Sequence, residues 1–424
     1  ADGSWCGVTT DLTETLANIA RHSPQDAETW ATLAAAFPAE AAHLFGLLGC
    51  PMNFRALAYF GFKTLRAKGV AGTLDMLRFL LQSPRQNLGQ TFASAKVQAM
   101  LAAWGLHLDF APDIAGGALF PYLEGMAAQA FGMVIGKGGA DTIIRALTGA
   151  LAARGGVIEV NAPVTRILHQ DGKAHGIALA DGRTITARRA VIANVAPGAL
   201  PGLTGTDSAF DRRLSAYTHA PGTMMIHLAL SDLPAWPDPA LRDYAYVHLA
   251  ADLDQMARTY AQAQAGLLPD APILVVGQPT RYDPSRAPEG KHTLWVQVRM
   301  CPGTIRGDAG GEIAATDWAE AAEPFAARAL AILEAHAPGT TARILAKRIV
   351  PPTDLAADNP NLVGGDQLCG SHHLAQHFLF RPLRGHADGS TPIRNLHLTG
   401  AAVWPGAGLG AGAGFLLAER LAGK

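Results

Sequence analysis

The chain has 424 residues, enough for two or three domains that share a large buried interior. Its 34 basic and 35 acidic residues give a formal net charge of −1, which provides no electrostatic case for a nucleic-acid-binding protein. Charged residues are only 16% of the chain and hydrophobic residues are 49%, a balance that favours a deep apolar interior, an apolar ligand or a peripheral membrane contact.

The four cysteines lie far apart in the sequence, without a C-x-x-C pair and without zinc-type spacing. We interpret them as buried thiols of a protein from a reducing compartment. The first residues contain neither a basic start nor an apolar run, so they are not typical of a signal peptide. We therefore expect a cytoplasmic protein and leave a membrane association open.

Residues 1–130 are predicted to be mainly helical and to form part of a substrate or cap domain. A short strand is expected over residues 5–10, before a helix that Asp11 can cap. Helical spacing is also found after Pro24 and at residues 94–106, and residues 112–125 are interpreted as an irregular, glycine-rich crossing.

The segment 54–81 has helical spacing and mixes apolar residues with cations. Gly69 and Gly72 are expected to divide it into two helices. A basic amphipathic helix can lie on a membrane surface, but such a helix more often packs on its own domain while its cations extend to solvent. Both interpretations stay open at this point. The basic residues are Arg55, Lys63, Arg66, Lys68 and Arg78.

From residue 131 to residue 197 the pattern becomes that of an α/β domain. A helix over residues 142–153 and a strand over 157–160 precede a three-stranded meander over 164–187, whose turns contain Asp-Gly pairs. Residues 189–194 then form an apolar strand of the kind buried inside a parallel sheet. This order predicts part of a dinucleotide-binding domain of the large flavoprotein type.

Residues 198–382 are predicted to form a second, α+β domain. An antiparallel sheet with flanking helices would roof a substrate cavity. The strand patterns lie at residues 224–230, 273–276, 293–298 and 344–349, and the helical patterns at 250–263 and 318–337.

Residues 383–424 are assigned to the dinucleotide-binding domain, because an apolar strand there runs into a glycine loop and the loop into a helix. This order brings main-chain N–H groups and the positive end of a helix dipole to the end of the strand. The uncharged run 398–418 contains six glycines and a proline, which disfavours a membrane span.

The loop also fits G-x-G-x-x-G/A at residues 406–411. A Rossmann fingerprint requires a further strand and an acidic residue about 20 positions later, and the residues that follow contain neither. We therefore favour a terminal strand–loop–helix that closes over a dinucleotide bound mostly by other segments.

At residues 405–409, Pro-Gly-Ala-Gly-Leu, the sequence resembles the phytoene desaturase-like flavoproteins, which include carotenoid desaturases. Residues 359–361, 364–366, 380–382 and 392–400 are similar to the same family. The resemblance implies an α/β fold in which a Rossmann-like, glutathione-reductase-type FAD-binding domain is joined to an α+β substrate domain. It also implies an FAD-dependent oxidoreductase that takes hydride from an apolar organic substrate onto flavin N5.

The chain departs from the family pattern in one respect. The family opens with a strand, a G-x-G-x-x-G loop and an acidic residue that bind the FAD pyrophosphate and ribose, and residues 1–130 contain none of these. The segment could have been removed, a second polypeptide could supply it, or the protein could be a non-catalytic binding or chaperone module that has lost FAD. We expect a companion polypeptide, and weak FAD binding by this chain alone.

The resemblance implies a set of cofactor contacts, with the adenine near Val164 and the turn after residues 189–194, and the isoalloxazine along the C-terminal loop. An ordinary core strand and an ordinary turn remain the alternatives at Val164 and Asn194. The implied cofactor-binding residues are Val164, Asn194, Gly400, Ala401, Trp404, Pro405, Gly408, Leu409, Gly410 and Ala411.

No catalytic base is identified, and the candidates for a catalytic role are His373, Arg381 and Trp404. Trp404 is expected to form a wall of the substrate site, with simple packing as the alternative. His373 and His377 have the i, i+4 spacing of a helix, but the glutamate of an H-E-x-x-H motif is missing, so no metal site is predicted.

Overall fold

The computed structural model of the protein describes residues 3–408 and 411–423. Its main chain forms two compact units, each built from three chain segments. The first unit comprises Ala1–Phe37, Gln82–Ile158 and Pro221–Asp358, and the second comprises Pro38–Leu81, Glu159–Ala220 and Asn359–Lys424. These units are defined by compactness, and the functional domain boundaries expected from the sequence stay a prediction.

The helices, in chain order, are α1 Leu12–Ala20, α2 Pro24–Leu48, α3 Phe54–Leu81, α4 Pro84–Thr91, α5 Ala95–Gly105, α6 Leu119–Phe131, α7 Asp141–Ala152, α8 Leu200–Thr204, α9 Ala209–Ser215, α10 Leu253–Gln264, α11 Trp318–His336, α12 Pro352–Asp358 and α13 Gly412–Leu421. The predicted cap of α1 is confirmed, since the Asp11 carboxylate accepts the N–H groups of Thr13 and Glu14. The predicted break in α3 is also confirmed at Gly69, where φ is 68°.

The strands are β1 Val164–Gln170, β2 Lys173–Leu179, β3 Thr184–Thr186, β4 Val191–Ala193, β5 Gly222–Leu230, β6 Tyr246–Leu249, β7 Leu267–Leu268, β8 Ile273–Gly277, β9 His292–Cys301, β10 Gly307–Asp308, β11 Ile344–Val350 and β12 Leu396–Leu398. The first unit contains an antiparallel sheet in the order β11-β5-β9-β8-β6. Alternate residues of β5 and β9 enter its apolar core, where they share a cluster with Phe325 of α11.

The second unit contains the predicted meander, β1-β2-β3, in antiparallel order. Its two remaining strands, β4 and β12, pair in parallel, as expected for residues 189–194. Val191 N–H donates to the Asn395 carbonyl at 2.8 Å, and Thr399 N–H donates to the Ala193 carbonyl at 3.0 Å. Buried Leu396, Leu398 and Ala413 form one apolar cluster with β1 and β4, so α13 packs beside the short parallel sheet.

Four local predictions are wrong. Residues 5–10 and 157–160 are not strands, because no partner strand pairs with either of them among the described residues. Helix α6 begins at Leu119, inside the stretch interpreted as an irregular crossing. The segment from His373 to His377 contains a 3₁₀ turn, so the helical i, i+4 relation does not apply to its two histidines.

Helix α2 is long and apolar enough to cross a membrane by length and composition. Its most apolar window has a mean hydropathy of 1.3 and is 22% buried. One such helix is weak evidence, since core helices and signal sequences meet the same criteria. The cytoplasmic location and the membrane association both stay predictions.

Candidate functional site

The loop between β12 and α13 in the second unit is shaped by glycines. Gly400 has φ of +95° and Gly406 has φ of +105°, values that residues with a side chain rarely adopt. The first turn of α13 follows Ala411, which is itself left-handed with φ of 49°. The main chain therefore turns sharply before the helix, and the positive end of the α13 dipole lies at the loop.

Asn194, at the end of β4, lies against the start of this loop. A Cβ atom on Gly400 would come within 2.0 Å of the Asn194 side-chain oxygen, so only glycine allows this approach. Asn361 holds the turn after β4 by accepting Ala196 N–H at 2.8 Å and by donating to the Asn194 carbonyl at 3.1 Å. The structure thus brings together two of the predicted cofactor-binding residues, Asn194 and Gly400.

His372 holds the other end of the loop. Ala407 N–H donates to His372 Nε2 at 3.1 Å, and a Cβ atom on Gly406 would lie 2.5 Å from the same nitrogen. An Nε2 that accepts a hydrogen bond carries no proton, so the neutral ring has its proton on Nδ1. His372 Nδ1 is buried and makes no hydrogen bond of normal geometry within residues 3–408 and 411–423. The main chain of Gly370 interacts with this ring, and an acceptor of better geometry on a bound group would satisfy the Nδ1 donor more fully.

Arg381 joins the loop to the segment that carries His372. The guanidinium is fully buried and donates to the Ala401 carbonyl from both Nε, at 3.0 Å, and Nη2, at 2.7 Å. Nη1 donates to the Ser371 carbonyl at 2.7 Å. Because these contacts are to main-chain carbonyls, Arg381 fixes the backbone and places a positive charge beneath the glycine loop.

Asp366 organises the chain just before His372. Its carboxylate is fully buried and accepts main-chain N–H groups from Ala220 at 3.1 Å, Leu368 at 2.8 Å and Gly370 at 2.6 Å. His219 Nδ1 lies 3.2 Å from the same carboxylate. These contacts hold the irregular segment after Asp366 without helix or strand hydrogen bonds.

Trp404 is 1% exposed, and its indole N–H donates to the Cys50 carbonyl at 2.8 Å. Phe378 stacks on the indole with a centroid distance of 5.1 Å, and His377 lies at 5.0 Å. Trp404 is therefore packed within its own unit. Its predicted role as a wall of the substrate site stays a prediction.

The two buried histidines are electrically neutral at pH 7. Burial and the Arg381 charge lower the pKa of His377 to about 3. Burial, followed by the charges of Arg381 and His377, holds the pKa of His372 well below 6.5, although the main chain of Gly370 acts in the opposite direction. His372 can therefore donate one proton in a hydrogen bond without carrying a charge.

The remaining predicted residues divide into three groups. Ala401 and Pro405 lie in the loop, and an added Cβ on Gly408 would meet no described atom within 4 Å. Val164 begins β1, where it is 40% exposed. Leu409 and Gly410 lie outside the described residues.

His372 contacts the loop, whereas the residue selected from the sequence was its neighbour His373. The sequence offered no way to choose between adjacent histidines, since that choice depends on the irregular backbone after Asp366. Among residues 3–408 and 411–423, no group of three His, Cys, Asp or Glu side chains is arranged to hold a metal ion.

A cleft of about 610 Å³ lies in the first unit, and it contains none of the predicted site residues. Four of its charged lining residues are paired, Arg242 with Asp232 at 3.2 Å and Arg281 with Asp243. We assign no function to this cleft.

Comparison with known proteins identifies the family. The sequence profile of the family described as flavin containing amine oxidoreductase matches residues 18–322. Pyridine nucleotide-disulfide oxidoreductase domain-containing protein 2 of Mus musculus is 28% identical over 299 residues, which cover 66% of this chain and 49% of that protein. Phytoene desaturase (lycopene-forming) of Paracoccus sp. is 28% identical over 284 residues, 66% of this chain and 52% of that protein. The chain spans about half the length of these relatives.

A solved structure, an oxidoreductase from Methanosarcina mazei, has a TM-score of 0.52 at 19% sequence identity and covers 80% of this chain and 68% of its own. At this identity the likeness concerns the fold alone, and it confirms the predicted α/β FAD-binding fold. The phytoene desaturase relatives agree with the resemblance described for the C-terminal loop. Since the family profile matches well over half of the chain, the protein belongs to the flavin-containing amine oxidoreductase family, whose members are FAD-dependent oxidoreductases.

Proposed function

We propose that the protein transfers hydride from an apolar organic substrate to FAD and leaves a new C=C or C=N bond in the product. The substrate loses a hydride to flavin N5 and a proton to solvent or to a base, and dioxygen, a quinone or another acceptor reoxidises the flavin. The desaturase and dehydrogenase names of several relatives support this class of reaction. The low content of charged residues, 16%, agrees with an apolar substrate.

The observation that carries the proposal is the glycine loop held against His372 at the start of α13. Main-chain N–H groups at a helix N-terminus stabilise negative charge nearby. The open space at Gly408 and the buried Nδ1 of His372 are features that a bound planar group would use. Bound FAD would supply the hydride acceptor.

We assign separate roles to the residues around the loop. Gly400 and Ala401 would hold the cofactor beside Asn194, and residues 404–408 would lie along its ring system. His372 donates its Nδ1 proton to a cofactor or substrate atom and remains neutral. Arg381 fixes the carbonyls of Ala401 and Ser371, and its charge favours anionic character in the bound group.

The test is the flavin content of the protein purified in its native form. We expect flavin absorption bands and release of FAD on denaturation. Gly408→Val should lower the FAD content at least tenfold, because the added side chain would enter the open space at the loop. Gly182→Val is the matched control, since Gly182 also has a positive φ and no described atom lies within 4 Å of the position that an added Cβ would take. A native protein without flavin would contradict the proposal and favour a binding module.

We also propose that a companion polypeptide supplies a G-x-G-x-x-G segment beside β4. The hydrogen bonds of Val191 and Ala193 run to the β12 side, so the alternate residue, Ile192, directs its main-chain groups to the opposite edge. The Ile192 side chain is 51% exposed, although parallel sheets are ordinarily larger and covered on both faces.

Native mass spectrometry tests the companion. We expect a complex heavier than 44.3 kDa that separates into two polypeptides on denaturation. A lone 44.3 kDa species would contradict the companion, and so would a heavier mass that stays a single polypeptide on denaturation. The FAD content of the native protein is measured independently of this mass, so the two proposals can fail separately.

A further inference from the structure

Helix α3 in the second unit leaves most of its residues exposed. Only Thr64 and Met76 are buried among its 28 residues. Eight large apolar side chains on this one helix are exposed, which is far more than the scattered apolar residues of an ordinary protein surface. They are Phe54 at 86%, Tyr59 at 65%, Phe62 at 64%, Leu65 at 44%, Val70 at 67%, Leu74 at 59%, Leu77 at 51% and Leu81 at 52%.

The half of α3 after the Gly69 kink carries a narrow apolar stripe. Val70, Leu74, Leu77 and Leu81 follow each other at i, i+4, i+7 and i+11, which places them on one side of a helix. Each of the four is more than half exposed. The stripe is therefore a continuous apolar surface about three turns long rather than four isolated residues.

The half before the kink combines aromatic residues with cations. Phe54, Tyr59 and Phe62 are all at least 64% exposed, and Lys63 Nζ lies 5.6 Å from the centre of the Tyr59 ring. Aromatic side chains beside cations are typical of the boundary between lipid headgroups and acyl chains. Five basic residues and one acidic residue, Asp75, give α3 a formal charge of +4, and the Lys68 ammonium is already paired with Glu40 at 2.6 Å. The helix remains net positive without it.

The positive charge of α3 favours one kind of partner for its exposed surface over another. A second copy of the chain packed symmetrically on α3 would bring the same cations together from both sides and would leave them repelling each other. Anionic headgroups would neutralise the cations while the apolar stripe enters the acyl boundary. Packing on its own unit does not cover the stripe, since Met76 is the only buried residue of α3 after Gly69.

We propose that the exposed surface of α3 binds the face of a lipid bilayer that contains anionic lipids. The apolar stripe and the aromatic residues enter the interface, and Arg55, Lys63 and Arg66 contact the headgroups. Such an attachment would keep the protein beside the phase in which apolar molecules dissolve. The attachment is a property of α3 and does not depend on FAD.

Flotation of the natively purified protein with lipid vesicles tests the proposal. We expect binding to phosphatidylcholine vesicles that contain phosphatidylglycerol, and weaker binding at high salt because exposed charges are screened. The triple variant Arg55→Gln, Lys63→Gln and Arg66→Gln should bind these vesicles on the order of 100-fold more weakly. The same variant should lose much less affinity for pure phosphatidylcholine vesicles.

A second triple variant, Val70→Ser, Leu74→Ser and Leu77→Ser, removes the stripe. Its binding should fall about 100-fold, because each buried apolar side chain contributes separately. Helix α7 supplies the matched control, since Ile144, Leu147 and Leu151 are 59%, 60% and 44% exposed and α7 has no buried residue. Changing these three residues to Ser should leave vesicle binding unchanged.

Three results would overturn the proposal. The first is a native protein that does not float with anionic vesicles. The second is an equal loss of binding in the α3 and α7 variants. The third is a stripe variant that leaves vesicle binding intact but changes the native mass, which would identify α3 as a protein interface. FAD content is measured in the same samples, so failure of lipid binding is distinguished from failure of the proposed oxidoreductase.

Discussion

The core of the first unit and the loop site of the second unit are both buried, but they are built in opposite ways. In the first, alternate residues of β5 and β9 pack with Phe325 in an apolar cluster whose main chain is satisfied by sheet hydrogen bonds. In the second, Asp366, His372 and Arg381 hold an irregular main chain through side-chain contacts. Apolar area stabilises the first region, whereas hydrogen bonds between buried polar side chains and the main chain stabilise the second.

This difference determines how each region responds to amino-acid substitutions. Loss of apolar volume leaves a cavity whose cost scales with the atoms removed. Loss of one polar partner leaves a buried group unsatisfied, and its effect falls mainly on the local main chain. Substitutions in the first unit should therefore change global stability most, and those in the second should change cofactor binding and pH dependence.

The largest effect is expected for Phe325→Ala. Phe325 is fully buried in the cluster beneath the antiparallel sheet, so the change should lower the free energy of unfolding by about 3–5 kcal/mol. Chemical denaturation of the native protein measures it. Leu345→Ala on β11, where the side chain is 58% exposed, should cost less than about 0.5 kcal/mol. Equal losses in the two variants would contradict the apolar-core account.

Asp366→Asn tests whether the loop site depends on its buried carboxylate. An amide cannot accept on both of its terminal atoms, so at least one main-chain N–H of Ala220, Leu368 or Gly370 loses its acceptor. We expect a loss of about 3 kcal/mol in the free energy of unfolding. Asp207→Asn is the control, because its carboxylate is 86% exposed and its pairing with Arg212 contributes little. If Asp366→Asn does not change the free energy of unfolding, the buried carboxylate does not stabilise the loop site.

The pH dependence of stability should depend on His377. Burial and the Arg381 charge lower its pKa to about 3, below the value of about 6.5 in an unfolded chain. Between these values the folded state binds fewer protons, so stability falls as the pH drops below about 6.5. At pH 5 this linkage costs about 2 kcal/mol for one such histidine.

The check compares the free energy of unfolding at pH 7 and pH 5 in the wild type and in His377→Asn. The variant should lose about 2 kcal/mol less over this interval, since it lacks the titrating group. His175→Asn should keep the wild-type dependence, because the His175 side chain is exposed. An unchanged dependence in His377→Asn would show that its pKa is not depressed.

The smallest expected effect is that of His372→Leu on cofactor affinity. The change removes the acceptor of Ala407 N–H and the Nδ1 donor. Loss of a hydrogen bond of about 1 kcal/mol should raise the Kd for FAD about fivefold. Fluorescence titration of the deflavinated native protein measures this, and His175→Leu serves as the control. A Kd that does not change would exclude His372 from the cofactor site.

The two regions also differ in how far the sequence alone predicts their structure. Regular periodicity predicted the β1-β2-β3 meander and the parallel strand that became β4, because alternation and Asp-Gly turns are local signals. The apparent strands at residues 5–10 and 157–160 failed because strand formation requires a partner, and apolar sequence alone does not provide one.

The sharp turns of the C-terminal loop could be predicted from its glycines, whereas its tertiary contacts could not. Gly400 was selected through the family resemblance, and its close approach to Asn194 agrees with the need for glycine at this position. The contact of His372 with Ala407 could not be predicted, because it depends on a main chain shaped by Asp366 and Arg381 rather than by helix or strand spacing.

The central claim is that the C-terminal loop belongs to a working flavin site, and the ratio of FAD to protein in the natively purified material tests it most directly. The account predicts about one FAD per chain in the wild type. It also predicts strong loss in Gly406→Val, whose side chain would collide with His372 Nε2, 2.5 Å from the position of its Cβ. A flavin-free wild type, or a Gly406→Val variant that retains full FAD occupancy, would contradict it.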